Sequence, residues 1–149
     1  MVEKMTVEKA TELARQQGFH CSQVVIMHAS ELLGLDKELM TKMAGGLGGG
    51  FYNGDMCGCA GAAIMAICAK YGFSEPNSPE QNQIMIGKVK EFEAKFKEKT
   101  GALTCKALLG GYNIAIPEEA AIIKEQGLNK NCPLFMTQAC EILDEMLEE

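Results

Sequence analysis

The chain has 149 residues, a mass of 16.1 kDa and 47% hydrophobic and 23% charged residues, which predicts one globular domain over residues 1–149. This composition excludes a disordered tail, a collagen and a disulfide-stapled mini-protein. Acidic residues outnumber basic ones by 20 to 14, the net charge is −6, and Arg15 is the single arginine. Nucleic acid is therefore not an expected partner, because phosphate recognition depends on clustered lysine and arginine.

No secretory signal or membrane span is recognisable in the sequence. Residues 1–17 are polar where a signal peptide would be apolar. The longest apolar stretch, residues 62–69, is far shorter than the ~18–20 residues that a membrane span requires. An odd number of cysteines, 7, in a chain without an export signal favours the reducing cytoplasm. We therefore expect a cytoplasmic protein whose cysteines are thiols.

Apolar residues recur at helical spacing along most of the chain, and no segment alternates as a strand would. Thr6 and Asp36 are the expected N-caps of the first and third helices. The first three helices are predicted at residues 6–17, 21–33 and 36–44. Residues 45–54 are rich in glycine and cannot form a stable helix. We expect them to form a turn before the central helix.

The second half of the chain continues the helical pattern. Helices are predicted at residues 57–70, 79–99, 105–109, 117–126 and from Pro133 onwards. The apolar stripe of the 79–99 helix is Met85, Val89, Phe92 and Phe96. The buried face of the last helix is predicted to include Phe135, Ala139, Cys140, Ile142, Leu143 and Met146. Short loops favour antiparallel neighbours, so the predicted fold is all-α: a single compact multi-helix bundle with a glycine-rich loop before the central helix.

Four cysteines lie at or within two residues of predicted helix N-termini: Cys21, Cys57, Cys105 and Cys132. Unpaired N–H groups and the positive end of the helix dipole favour thiolates there. The thiolate is the form of cysteine that attacks disulfides and binds metals. Helices that begin at one end of a bundle can bring these four thiols together. The alternative role of each is packing, because free cysteine is often buried as a small apolar side chain.

The other three cysteines follow a different pattern. Cys59 lies within one turn of Cys57 and is open to both roles, whereas Cys68 and Cys140 lie on apolar helix faces and are expected in the core. The C-x-C pair of Cys57 and Cys59 is a weak metal signal, and zinc-ribbon and ferredoxin spacings do not occur. Spacing alone therefore predicts no specific metal site.

His20 and His28 are the only histidines. His20 is adjacent to Cys21, where a protonated imidazole would lower the pKa of the thiol. His28 lies two turns further along the same helix and could be a base or ligand near the thiols. The alternative for each is a hydrogen-bonded, half-buried histidine, which is the more common case.

Five segments then occur in an ordered set: HCSQVV at residues 20–25, glycines at 46–50, CGCAGA at 57–62, CKALLG at 105–110 and NCP at 131–133. This set resembles a family of redox-active proteins named for four spaced cysteines and a C-G-A-x-x-G element. The resemblance covers about residues 6–147. It implies that Cys21, Cys57, Cys105 and Cys132 are the family's four cysteines. Cys59 then stands where the family has alanine, and Ala62 where the element ends in glycine.

The leading hypothesis is a cytoplasmic redox protein in which Cys21, Cys57, Cys105 and Cys132 gather at one end of the bundle, with Cys59 nearby. In a dithiol version, one thiolate attacks the disulfide of an unknown redox partner and a second cysteine resolves the product. In a metal version, these five cysteines hold zinc, iron or an iron–sulfur cluster.

The competing hypothesis is a non-catalytic helical binding module with structural cysteines. The resemblance implies an association with transporters, because members of that family often lie near transporter genes. A face of alanine and methionine is compatible with a homodimer, although such a stripe is more often core. A hydrolase is not supported, because no catalytic triad or carboxylate pair is recognisable.

Overall fold

The computed structural model describes residues 2–148 and contains, within them, eight α-helices and no β-strand. The helices are α1 (Val7–Thr11), α2 (Cys21–Leu33), α3 (Lys37–Ala44), α4 (Gly58–Tyr71), α5 (Pro79–Thr100), α6 (Cys105–Leu108), α7 (Pro117–Gln126) and α8 (Cys132–Leu147). A wider helical turn, Glu12–Gln16, continues α1. None of the helices in this part of the chain combines the length and apolar character needed to cross a membrane. The expectation of an all-α fold is confirmed.

Helix α2 lies in the middle of the bundle and packs against α3, α4 and α8. Val24, Val25 and Ile26 of α2 have no exposed surface. Helix α4 approaches α2 closely because it presents small residues to it: Ala60 and Ala63 are also fully buried. Close approach of these two helices brings their N-terminal ends together, and both ends carry cysteines.

The helix boundaries agree with the sequence pattern to within one or two residues, except that α1 is completed by the wider turn. Phe92 and Phe96 of α5 are fully buried and stack with their ring centroids 5.7 Å apart, as the apolar stripe predicts. The predicted face of α8 is buried except for Phe135, which is half-buried against the core. Local periodicity and capping therefore determine these elements well.

The glycine-rich stretch is a series of tight turns rather than an α-helix, as predicted. A short 3₁₀ turn, Gly45–Leu47, is followed by left-handed backbone at Gly49 and Gly50, with φ of 62° and 66°. Phe51 and Tyr52 continue in the left-handed region, with φ of 62° and 56°, which is rare for bulky side chains. The stretch, named the glycine turn below, lies across the beginnings of α2 and α4.

Candidate functional site

Five of the seven cysteines line one small cavity at the shared end of the helices. This inner cavity has a volume of about 30 Å³, and its sulfur-bearing residues are Cys21, Cys57, Cys59, Cys105 and Cys132. Leu108, Leu109 and Phe135 complete the wall. Cys21, Cys105 and Cys132 are the first residues of their helices, and Cys57 immediately precedes α4. The four cysteines predicted at helix starts are therefore at helix starts, and the fold brings them together.

Backbone hydrogen bonds hold the segments before α4 and α6 side by side. The N–H of Cys57 donates to the carbonyl of Leu103 at 2.7 Å, and the N–H of Cys105 donates to the carbonyl of Asp55 at 2.7 Å. Met56 and Thr104 form an isolated antiparallel bridge between these bonds. This pairing places Cys57 and Cys105 on facing segments, although 48 residues separate them in the sequence.

Two further contacts bring the remaining helix starts to the same place. The Ser22 hydroxyl donates to the carbonyl of Ala44 at 2.7 Å, which fixes the start of α2 beside the glycine turn. Arg15 donates from Nη2 to the carbonyl of Asn129 at 2.7 Å, and Asn129 in turn accepts the N–H of Cys132 at 3.1 Å. The wide turn after α1 is thus tied to the start of α8.

Cys21 is the thiol of this cluster that ionises most readily. Hydrogen bonds from the thiols of Cys57 and Cys59 lower the pKa of Cys21 well below its usual value and outweigh the opposing effect of burial. The backbone N–H groups of Gly49 and Ser22 act in the same direction. Of the three coupled sulfurs, Cys21 has the most donors, so the shared negative charge resides there. Of these three thiols, Cys21 is therefore the one that loses its proton first as the pH rises.

The helix N-termini were expected to favour thiolates at Cys57, Cys105 and Cys132 as well. The structure corrects this expectation, because the pKa values of all three thiols are raised. Cys57 is a donor to the Cys21 sulfur, and this role raises its pKa well above the usual value. Burial raises the pKa of Cys105 to about 11 and that of Cys132 to about 12. Desolvation therefore exceeds the effect of the helix dipole at these positions. The pKa of Cys59 is also raised, because its thiol donates to Cys21 and Cys57 and is buried.

Gly58 allows α4 to approach the Cys21 sulfur. A Cβ atom at this position would lie 2.8 Å from Cys21 Sγ and 2.7 Å from the carbonyl oxygen of Leu47. Gly50 has a similar role on the opposite side, because its Cβ would lie 2.7 Å from Cys105 Cβ and its φ is positive. The glycines around the cysteines are therefore required by close packing, and any side chain there would push the sulfurs apart.

A larger pocket opens beside the inner cavity and shares three of its cysteines. This outer pocket has a volume of about 310 Å³ and is bordered by Cys21, Cys105 and Cys132. Cys57 and Cys59 line only the inner cavity. The remaining wall of the outer pocket combines polar side chains with apolar ones: Arg15, His20, Tyr52, Asn129, Phe19, Leu109, Ile114 and Met136. A small molecule in this pocket would contact the Cys21 thiolate directly.

His20 lies at the rim of the outer pocket but does not act as predicted on Cys21. Its Nδ1 lies 2.9 Å from the carbonyl oxygen of Gly45, which only accepts, so Nδ1 carries the proton. The Tyr52 hydroxyl is 3.0 Å from Nε2 and donates to it. His20 is not among the groups that lower the pKa of Cys21. It instead fixes the glycine turn against the start of α2.

The structure also places the residues predicted away from the site. His28 is buried and its Nε2 lies 2.6 Å from Asp144 Oδ1, so the alternative of a hydrogen-bonded structural histidine is the correct one. Cys140 is fully buried in the core, as expected. Cys68 is half-buried and outside the main core cluster, so its predicted core position is wrong.

Thiolates are good ligands for zinc and iron, so the five cysteines are a suitable donor set in chemical terms. Within residues 2–148, however, no group of three or more histidine, cysteine, aspartate or glutamate side chains is arranged to hold a metal ion. All seven cysteines are free thiols. This arrangement gives no support to a zinc, iron or iron–sulfur centre, so the metal version stays a prediction.

A family model described as "Putative redox-active protein (C_GCAxxG_C_C)" matches residues 19–146. The chain belongs to this family. The match confirms the resemblance found in the sequence and covers every cysteine of the inner cavity. Neither the curated proteins nor the solved structures include a match to this chain.

The family's name corrects one of the cysteine assignments. Its central motif reads Gly-Cys-Ala-x-x-Gly, and Gly58, Cys59 and Ala60 match the first three positions in order. Ala63 stands where the motif ends in glycine. Cys59, rather than Cys57, is thus the second of the four cysteines in the name, and Cys57 is the additional one in this chain. The C-G-A-x-x-G form expected from the sequence was wrong at this point.

Sequence reasoning missed three residues of the outer pocket. Tyr52 is in the glycine turn, Arg15 is in the first helical segment, and Gly49 supplies a backbone donor to Cys21. Arg15 could have been noticed as the single arginine. Nothing in the local pattern distinguishes Tyr52 or Gly49, because their roles depend on the path of the turn.

Proposed function

We propose that this redox-active family member is a thiol–disulfide oxidoreductase, with Cys21 as the nucleophile and Cys59 as the resolving thiol. One observation carries the proposal: Cys21 shares the inner cavity with Cys57 and Cys59, which lower its pKa, and it also borders the outer pocket. A stabilised thiolate with a second thiol in contact is the arrangement that dithiol exchange requires.

The reaction balances in two steps. The Cys21 thiolate attacks one sulfur of a substrate disulfide, breaks its S–S bond and releases one substrate thiolate, leaving a mixed disulfide. Cys59 then loses its proton to the released thiolate and attacks the Cys21 sulfur. This second step forms the Cys21–Cys59 disulfide and releases the second substrate thiolate. The protein is oxidised by two electrons, the substrate is reduced by two, and an external dithiol regenerates the reduced protein.

The other three cysteines of the inner cavity support this reaction in different ways. Cys57 donates to the Cys21 thiolate and keeps it reactive at neutral pH. Cys105 and Cys132 border the outer pocket as neutral thiols, since burial raises their pKa values. They are therefore not competing nucleophiles at neutral pH, although they lie near a mixed disulfide on Cys21. Cys59 is preferred as the resolving thiol because it contacts Cys21 and matches the cysteine of the family motif.

The finer features of the sequence hypothesis stay predictions. These are the cytoplasmic location, the association with a transporter, the redox partner and the homodimer. A metal-binding function is not favoured, because no group of three or more such side chains within residues 2–148 is arranged to hold a metal ion. A purely structural role for the cysteines leaves unexplained why two thiols and two backbone N–H groups are directed at one sulfur.

The test is a trapping experiment with reduced protein and a chromogenic aromatic disulfide. Wild type should release both reagent thiols for each molecule of reagent consumed and form an internal disulfide. Cys59→Ser should release only one and retain the mixed disulfide on Cys21, which peptide mass spectrometry identifies. Cys57→Ser is the matched control and should still release both, at a lower rate.

Three results would contradict the proposal. Release of both reagent thiols by Cys59→Ser would show that another cysteine resolves the mixed disulfide on Cys21. Stoichiometric iron or zinc in anaerobically purified wild type, lost in Cys21→Ser, would establish the metal version. If all seven thiols react no faster than those of the unfolded chain, the cysteines are structural and the hypothesis of a non-catalytic binding module is the one that remains.

A further inference from the structure

The size of the outer pocket limits what can reach the Cys21 thiolate. Its volume of about 310 Å³ is at the lower end of the ~300–1,000 Å³ found for small-molecule sites. Cys21 forms part of its wall and is itself only partly exposed. A disulfide on the surface of a folded protein would have to enter this recess, whereas a small free disulfide can do so without rearrangement.

The outer pocket does not share the acidic character of the whole chain. The net charge is −6, yet no aspartate or glutamate is among the described residues that line the outer pocket. Arg15, the only arginine of the chain, does line it. One of its N–H groups donates to the neutral carbonyl of Asn129, and no ion pair found in residues 2–148 includes it. The guanidinium charge is therefore balanced by no carboxylate of this region.

Arg15 also lies close enough to act on the thiol wall. Burial is the main influence on Cys132 and raises its pKa to about 12, but the Arg15 charge opposes this shift. The same guanidinium that faces the pocket is thus within electrostatic range of one of its sulfurs. A ligand that spans the pocket from Arg15 to the cysteines would place one group at the guanidinium and another at the thiolate.

We propose that the outer pocket binds a low-molecular-weight disulfide that carries a carboxylate, with Arg15 binding the carboxylate and Cys21 attacking the adjacent sulfur. This inference rests on the proposed function and adds the class of substrate. The planar guanidinium presents paired N–H donors that match a carboxylate. Phe19, Ile114 and Met136 supply apolar surface for the carbon chain between the carboxylate and the sulfur.

The reaction follows the two steps already given, with the carboxylate held throughout. Cys21 forms the mixed disulfide with the half of the substrate that Arg15 binds, and the other half leaves as a thiolate. Cys59 then displaces the bound half as its thiolate and forms the internal disulfide. The half released first takes the proton that Cys59 loses, and the half that Arg15 binds leaves as a small carboxylate-bearing thiolate.

The experiment compares three small disulfides of similar length that differ in charge: dithiodiglycolate with two carboxylates, bis(2-hydroxyethyl) disulfide with none, and cystamine with two ammonium groups. Second-order rates are measured with reduced protein at neutral pH and low salt, and each is divided by the rate of a small free thiol with the same disulfide. This normalisation removes the intrinsic reactivity of each reagent. Wild type should favour the carboxylate disulfide over the neutral one by about tenfold, with cystamine the slowest.

Substitution of Arg15 should remove this preference. Arg15→Gln should bring the normalised carboxylate rate down to that of the neutral disulfide. Lys97→Gln is the matched control, because it makes the same change in net charge on an exposed position of α5 outside the pocket. It should retain the full preference.

The possible results separate this inference from the proposed function. Equal normalised rates for the three disulfides in wild type, or a preference that persists in Arg15→Gln, would overturn the substrate class while disulfide exchange at Cys21 stands. The substrate class would also be overturned if the protein reduced a protein disulfide, such as those of insulin, faster than all three small disulfides. No reaction with any disulfide would overturn the proposed function itself.

Discussion

Cys21 and Cys140 show how two sites in one chain can treat the same side chain in opposite ways. Cys140 lies in the middle of α8 with no exposed surface, and burial raises its pKa, with the charge of Asp144 acting in the same direction. Cys21 is half-buried and burial acts on it in the same direction, but donors from Cys57, Cys59 and the backbone lower its pKa. Burial is common to both, so the donors decide which sulfur ionises.

Burial alone does not determine whether a cysteine is reactive. A thiol in an apolar environment is inert because the thiolate loses its hydration. A half-buried thiol becomes a nucleophile when fixed N–H and S–H groups replace the hydration that it loses. The end of the bundle that holds the inner cavity is organised in the second way, and the core around α8 in the first.

The largest effect is expected from removing the Cys21 sulfur. An ordinary thiol is ionised to only about 3% at pH 7, so Cys21→Ser should reduce the fast phase of alkylation by iodoacetamide about thirtyfold. Cys140→Ser removes the other buried thiol and should leave the fast phase unchanged. Peptide mass spectrometry after a short pulse of reagent measures both. Loss of the fast phase in Cys140→Ser would remove the distinction between the two regions.

A second prediction concerns the close approach of α4 to Cys21. In Gly58→Ala the added methyl group would lie 2.8 Å from Cys21 Sγ, so the helices must separate. We expect a loss of about 1–3 kcal/mol in the free energy of unfolding. We also expect slower alkylation of Cys21, because Cys57 and Cys59 move away from it. Urea denaturation and the alkylation pulse measure the two effects.

Gly87→Ala is the matched control for that variant. Gly87 lies in α5 with no atom close to the position of an added Cβ. Alanine there should stabilise the helix by about 0.5–1 kcal/mol and leave Cys21 unaffected. A Gly58→Ala protein with wild-type stability and alkylation would show that the contact between α4 and the sulfur has no importance.

The smallest effect on the thiols is expected from the hydrogen bond between His28 and Asp144, which lies away from the cysteine cluster. His28 Nε2 and Asp144 Oδ1 are 2.6 Å apart, and His28→Gln should cost about 1–3 kcal/mol of stability, because Asp144 loses a buried partner. Lys37→Gln breaks the exposed pair with Glu31 and should cost less than about 1 kcal/mol. Alkylation of Cys21 should be unchanged in both variants. A clear change in His28→Gln would mean that the two regions are coupled.

Much of the fold was predictable from the sequence, because helix ends are determined by nearby residues. Asp36 caps α3 by accepting the N–H of Leu39, and Gly34 and Gly127 end α2 and α7 in the left-handed conformation. These signals act over three or four residues, so a local pattern contains them. The positions of four cysteines at helix starts followed from the same signals.

The chemistry of the site could not be predicted in the same way. The low pKa of Cys21 depends on Cys57 and Cys59, which are close to it only because α2 and α4 pack closely. The helix dipole, which sequence position does reveal, is outweighed by burial at Cys105 and Cys132. Tyr52 reaches His20 through a left-handed turn that bulky residues seldom adopt. Each of these features depends on contacts between distant segments.

The central claim is that neighbouring donors stabilise the Cys21 thiolate and lower the pKa of this thiol well below its usual value. The most direct test measures the alkylation rate of Cys21 in the reduced protein from pH 5 to pH 10 by peptide mass spectrometry. Since the pKa is lowered, the thiolate should persist as the pH falls below the usual value of 9.0, and the rate should fall much less than tenfold for each pH unit between pH 9 and pH 7. A rate that falls about tenfold for each pH unit over that range, as for an unperturbed thiol, would contradict the account.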